Sequence, residues 1–380
     1  MAPISKKVKK DETEESSVLT PAQQAMSYLK NNKEDHYNFE EEQFYKVPTS
    51  SLTVNAMIGG GFCPGAQRAI GITSGGKTSF TLDGMFNFFK GGAGRMGVYV
   101  KAEGRLSKEM QERSGVKFVT NPNEWVDGTC FVFESNVFEA IFGFIGDLIK
   151  NNPQKVKYYF ILDSLDMMAK RDDLAKPLGD AQTVAGGALI TSVFLKKTSA
   201  ALAKRGHICW FLSQVRDSIK INPYEKGTPR QGSASGGHAV EHAGDYVLEF
   251  MPRWNDDIIR EGDPKTGKII GHYCRIKVVK SNNEKNGTEI RYPIRYNRTG
   301  GTSVWVEREI VDLLFGWDFM KRSGAWFSFD ESIREEIKTK AGIDLPEKIQ
   351  GMDNVYVYFE GNKQATNFFY EKFLSMFTSQ

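Results

Sequence analysis

Short apolar runs alternate with longer amphipathic stretches through the middle of this chain. Residues 96–101, 129–133, 158–163 and 208–214 are rich in Val, Ile, Phe, Tyr and Trp. That is the pattern of strands covered on both faces. Residues 79–89, 108–114, 138–150 and 188–204 read as helices around them. The alternation predicts a parallel sheet with crossover helices, an α/β fold. Beyond residue 245 the pattern changes. Residues 246–251, 269–280 and 289–296 read as strands, with turn signals at 263–267 and at Asn286-Gly287. They predict an antiparallel extension of the sheet. Residues 330–380 mix helix-like segments with a short strand candidate at 355–359, a small α+β C-terminal domain. Near the start, residues 21–31 read as a helix opened by Pro21, with Met26 and Leu29 on one face. The expected division is a tail and N-terminal oligomerisation segment over 1–46, a core over 47–325 and a small domain over 326–380.

Composition narrows the class. A chain of 380 residues can bury a large core. Its net charge of +3 makes no global polyanion field, so any nucleic-acid site must be a local basic patch. The four cysteines, Cys63, Cys130, Cys209 and Cys274, are far apart and form no C-x-x-C pair. Core thiols in a reducing cytoplasm are the expectation. Residues 1–10 lack the apolar core of a signal peptide, and no run reaches the length of a membrane span. The run Lys6-Lys7-Val8-Lys9-Lys10 is either a solvated tail or a weak nucleic-acid or targeting arm.

The chemistry starts at Gly71-Ile72-Thr73-Ser74-Gly75-Gly76-Lys77-Thr78, which satisfies G-x-x-x-x-G-K-[ST]. A strand-like stretch at 67–70 leads in and a helix follows, which disfavours a chance Gly-rich turn. In such a loop the backbone N–H groups close on a β-phosphate, Lys77 reaches the β- and γ-phosphates and Thr78 holds Mg²⁺. Gly71, Thr73, Ser74, Gly75, Gly76, Lys77, Thr78 and Ser79 are therefore the expected nucleotide contacts. The strand 158–163 ends in Asp163, the second expected metal-orienting group. Glu103 closes another strand, where it either aligns the attacking water or is an exposed loop residue. Gln214 ends a fourth strand, where its amide can bond a γ-phosphate and report its loss to the following loop.

That loop runs to about residue 244 and carries Arg216, Lys220, Lys226, Arg230, Gly236 and Gly237. A second Gly-rich stretch spans 176–187. Two such loops beside a nucleotide site suit either DNA contact or a mobile lid.

Taken in this order, the set resembles the RecA recombinases, including the UvsX-type recombinases of bacteriophages. The resemblance begins at residues 47–61 and passes through the Gly-Lys-Thr loop, Glu103-Gly104, Asp163-Ser164, Gln214-Val215-Arg216 and Gly236-Gly237. It then takes in Arg275-Ile276-Lys277-Val278-Val279-Lys280 and residues 323–328. It implies a P-loop RecA-like ATPase core with a mostly parallel sheet. It further implies ATP and Mg²⁺, DNA-binding loops near 176–187 and 217–242, and a Lys280 that reaches the ATP of a neighbouring subunit. The implied activity is DNA-dependent ATP hydrolysis, with a helical filament on single-stranded DNA and strand exchange with duplex DNA in recombination and repair. A single-strand-binding protein and a loader are further implied partners, in the cytoplasm of a bacterium or phage-infected cell.

The chain also departs from the family. Asn282 stands where a second lysine is expected, so the interfacial charge is halved or supplied by Lys285. Met110 stands where an aromatic sits near adenine, and Thr73 where bacterial members carry Glu. An acidic C-terminal tail is missing, and the strand entering the P-loop reads one residue short. These differences favour a divergent, viral member. Two alternatives stay open: a recombinase paralogue acting as a mediator, and a hexameric helicase on the same core.

Overall fold

A computed structural model of the chain describes residues 19–104, 106–177, 186–215, 237–263 and 265–378. The basic run at Lys6 to Lys10, most of both Gly-rich loops, and Arg216, Lys220, Lys226, Arg230 and Gly236 lie outside the described residues.

Met1–Glu41 forms a unit of its own. Its helix α1 (Pro21–Asn31) starts with a capping box, in which Thr20 accepts from the Gln23 N–H and Gln23 accepts from the Thr20 N–H. Proline at the first turn costs nothing there, because its missing N–H would have had no helical partner. No residue of α1 is buried.

Glu42–Gln380 is the second unit. It begins with α2 (Leu52–Met57), β1 (Gly65–Gly71), α3 (Lys77–Lys90), β2 (Arg95–Lys101), α4 (Lys108–Ser114), β3 (Lys117–Val119) and β4 (Thr129–Glu134). It continues through α5 (Phe138–Lys150), β5 (Lys157–Asp163), α6 (Arg171–Leu174), α7 (Gly186–Lys204), β6 (Ile208–Gln214), α8 (Gly237–Ala243) and β7 (Tyr246–Phe250). Then come β8 (Ile258–Glu261), β9 (Lys268–Lys280), β10 (Glu289–Arg295) and α9 (Val306–Gly316). The last part holds β11 (Met320–Ser323), β12 (Trp326–Phe329), α10 (Glu331–Ala341), β13 (Ile349–Gln350), α11 (Met352–Gly361) and α12 (Lys363–Thr378).

The main sheet runs β10-β9-β7-β1-β6-β5-β2-β4-β3, with β8 on the edge of β9. The stretch from β7 to β3 is parallel, while β8, β9 and β10 pair antiparallel. The α/β fold, the mostly parallel sheet and the antiparallel extension all match the expectation. The central strands are apolar because both faces are covered. Trp210 of β6 is fully buried, with the rings of Phe62 and Phe80 edge-on to it at 4.9 and 5.9 Å. On the other face, Phe142 of α5 stacks on Phe194 of α7 at 4.3 Å.

The C-terminal part is a three-stranded sheet, β11-β12-β13, packed with α9 to α12 around a second apolar core. Leu52 of α2 belongs to that core. The strand expected at 355–359 is instead part of α11. Val355 and Phe359 are fully buried, whereas Val357 between them is 61 % exposed. A strand would put all three on one face; a helix puts i and i+4 together and turns i+2 away. The run Val-Tyr-Val-Tyr-Phe mimics a period of two, but its burial follows the helix.

Glu309 of α9 ties the two cores together. Its buried carboxylate accepts from Ser51 Oγ at 2.7 Å and from the N–H groups of Leu52 at 3.0 Å and Thr53 at 3.3 Å. These amides open α2 and have no partner within that helix.

Candidate functional site

The strand order β1-β6-β5-β2 decides the site. In it four parallel strands end side by side, so residues far apart in sequence meet at their C-terminal edge. Gly71 of β1 is in register with Gln214 of β6, and Lys101 of β2 with Asp163 of β5.

The Gly-Lys-Thr loop leaves β1 and turns into α3. Gly71 has φ 139°, and a Cβ there would collide with the Phe250 carbonyl. Gly76, the N-cap of α3, has φ 104°. Both positions therefore need glycine. Ser74 also adopts a positive φ, 61°. Lys77 is buried, and its ammonium donates to the carbonyls of Gly71 at 2.9 Å and Ile72 at 2.7 Å. Burial lowers its pKa, and the charges of Asp163, Asp166 and Glu103 oppose that.

Thr78 Oγ1 donates to Asp163 Oδ2 at 2.7 Å, and Tyr99 donates to the same oxygen at 2.7 Å. Burial raises the Asp163 pKa. The hydroxyl bonds from Thr78 and Tyr99 and the Lys77 charge pull it down, while Glu103 adds to the rise. The hydroxyl–carboxylate pair is a hard-oxygen donor set that fits Mg²⁺. Among the described residues no group of three or more His, Cys, Asp or Glu could hold a metal by itself.

Glu103 follows β2 and is half-buried, not an exposed loop residue. Ser164 Oγ donates to its Oε2 at 2.7 Å, and Gln214 Nε2 donates to its Oε1 at 3.2 Å. Gln214 is held at both ends. Its N–H donates to Asp166 Oδ2 at 2.7 Å, and Thr73 Oγ1 donates to its side-chain oxygen at 3.3 Å. Gln214 thus links the P-loop to Glu103 at the point where the chain enters the loop starting at residue 216.

Beside the loop lies a cavity of about 490 Å³, lined by Ser79, Met110, Arg113, Ile294, Tyr296 and other residues. Arg113 donates to Ser79 Oγ at 3.1 Å. The cavity adjoins the N-terminus of α3 and combines apolar walls with polar edges, a lining with which a nucleotide base is compatible. Met110 is on the wall of this cavity. Lys280 lies elsewhere, with its ammonium on the carbonyls of His242 at 2.8 Å and Glu241 at 3.2 Å, at the end of α8. Asn282 donates to Asp245 at 2.9 Å. Of the predicted DNA-contacting residues only Gly237 is described, at the start of α8.

Sequence reasoning missed Tyr99, Ser164, Asp166, Arg113 and Tyr296. Ser164 adjoins a predicted site residue and was a signal at hand. Asp166, three residues beyond Asp163, was equally at hand; Tyr99, Arg113 and Tyr296 reach the site only through strand order and helix docking.

No helix among the described residues is long and apolar enough to cross a membrane. Residues 33–300 match the RecA N-terminal domain family. The chain is 26% identical over 324 residues to Protein RecA of Rickettsia canadensis, covering 84% of this chain and 81% of that one. It is 25% identical over 287 residues to Protein RecA of Mycobacterium ulcerans, covering 75% and 74%. A match over most of the chain, on a fold that assembles the nucleotide-loop residues at adjoining strand ends, means that this chain belongs to the RecA family.

Proposed function

We propose that this protein is a DNA-dependent ATPase that polymerises on single-stranded DNA as a helical filament and exchanges strands with homologous duplex. The observation that carries the reading is the bonded chain Thr73–Gln214–Glu103–Ser164 beside Lys77, Thr78 and Asp163. It joins a nucleotide loop to the segment holding Arg216, Lys220, Lys226 and Arg230. The RecA relatives support the same activity.

Lys77 and the N–H groups at the start of α3 bind the phosphates, and Thr78 with Asp163 holds the metal. Mg²⁺, when bound, neutralises phosphate charge and orients the oxygens. Glu103 aligns the attacking water and takes its proton. Gln214 bonds either Glu103 or the γ-phosphate, so its position follows the nucleotide and moves the chain after residue 215. ATP thereby stabilises the DNA-holding form by binding it better, and hydrolysis releases it. Lys280 leaves the end of α8 to reach the nucleotide of the adjoining subunit, and residues 21–45 supply the contact between subunits. The departures at Thr73, Met110 and Asn282 favour a phage-type branch.

The test is ATP hydrolysis with and without single-stranded DNA, with negative-stain imaging of the same samples. Stimulation together with helical filaments is expected. Nucleotide binding without stimulation or filaments would favour a mediator paralogue, and closed rings with duplex unwinding would favour a helicase.

A further inference from the structure

We propose that Tyr99 is a positioning residue for metal-bound nucleotide and acts through Asp163; the inference rests on the ATPase reading above. Tyr99 is 3 % exposed and sits on β2, in register with Ile161 of β5. Its hydroxyl donates to Asp163 Oδ2 at 2.7 Å, the oxygen that also accepts from Thr78 at 2.7 Å. One carboxylate oxygen thus takes two hydroxyl hydrogens, one from the sheet and one from α3.

This arrangement has a chemical consequence. Thr78 spends its hydrogen on Asp163, which leaves its oxygen lone pairs for a metal. Asp163 can serve that purpose only if its carboxylate does not swing away. A single bond from Thr78 leaves the carboxylate free to rotate with the loop; a second bond from a rigid strand removes that freedom. The other oxygen is then held in one direction, from which it would orient the waters of a bound ion. Bonds from neutral hydroxyls to a carboxylate are among the stronger kinds, and more so away from water.

Packing alone does not call for the hydroxyl. The Tyr99 ring lies in the apolar core and meets Phe118 edge-on at 6.3 Å, with Cys130 behind it. A phenylalanine would fill the same space. The oxygen is what places a donor beside Asp163, and around that carboxylate stand Lys77 and Thr78 from α3 and Glu103 from the turn after β2.

The test is Tyr99→Phe, read by titration with a fluorescent ATP analogue in Mg²⁺ and again in EDTA. Affinity in Mg²⁺ is expected to fall by roughly tenfold or more, the usual weight of a hydrogen bond to a charged group. Affinity in EDTA should stay at parent values, while Tm falls by the few degrees that loss of one buried hydrogen bond costs. In an Asp163→Asn background, Tyr99→Phe should add no further loss, because the path through Asp163 is already cut. Equal losses with and without metal, or full additivity with Asp163→Asn, would reduce Tyr99 to a structural role and overturn the proposal. Unchanged affinity in Mg²⁺ would overturn it too. A parent chain that binds no nucleotide would overturn the ATPase reading itself.

Discussion

Replacing Glu103 with Gln removes a charge and keeps the shape. Glu103 now accepts from Ser164 at 2.7 Å and from the Gln214 amide at 3.2 Å. A glutamine can keep both contacts, accepting from Gln214 through its oxygen and donating through its nitrogen to the Ser164 hydroxyl, which accepts as readily as it donates. The network survives, so the stability cost should stay below about 1 kcal/mol. The chemistry does not survive, because an amide cannot take a proton from water. Loss of a positioned general base lowers turnover by roughly 10²–10⁴, or about 3–5 kcal/mol of barrier. Glu103→Ala is the contrasting variant. It leaves the buried Ser164 hydroxyl and the Gln214 amide without their acceptor, adding about 1–2 kcal/mol of destabilisation and a lower Tm. The assay is single-turnover phosphate release on saturating single-stranded DNA, alongside equilibrium ATP binding and filament imaging. In Glu103→Gln, turnover should collapse while binding and filaments persist. Hydrolysis within about threefold of the parent, well short of the loss expected for a general base, would refute the role assigned to Glu103.

Lys280→Ala should weaken cooperative, ATP-dependent assembly more than nucleotide binding by the monomer; superimposable assembly curves by light scattering would argue against the intersubunit role. Gln214→Ala should cut the stimulation of hydrolysis by DNA about tenfold, the weight of one hydrogen bond in a relay, with basal ATP binding kept; full stimulation in the variant would remove Gln214 from that path. Burial lifts the Glu309 carboxyl to about 7 from its ordinary 4.5. The folded state therefore holds that proton more tightly than the unfolded chain. The resulting stability is complete below the unfolded value and is lost as pH rises toward 7, amounting to roughly 3 kcal/mol. Urea denaturation from pH 4.5 to 8 should show Glu309→Gln losing much of that pH dependence; identical slopes would show that another group controls it.

Much of the fold was legible because its causes are local. Residues 138–150 and 208–214 form the predicted helix and strand at the predicted bounds, since apolar periodicity reports directly on burial. The loop from Gly71 to Thr78 was legible for the same reason: the turn is made by consecutive residues. Failure came where a local pattern admitted two readings, as at 355–359, where only the packing of α11 tells a helix from a strand. The surroundings of Glu103 were likewise open, because nothing in its neighbourhood along the chain announces Ser164 or Gln214.

By itself the sequence determined most element types, the Gly71–Thr78 turn and the carboxylates at the ends of neighbouring strands. Tertiary structure alone decided that β1, β6, β5 and β2 lie side by side, which brings Thr78, Gln214, Asp163 and Glu103 to one edge. It also decided that Tyr99, an unremarked strand residue, hydrogen-bonds the Asp163 carboxylate, and that Lys280 rests on the end of α8. The physical reason is range. Periodicity, capping and turn chemistry act over a few residues, whereas strand order is settled by which faces bury each other across the whole chain.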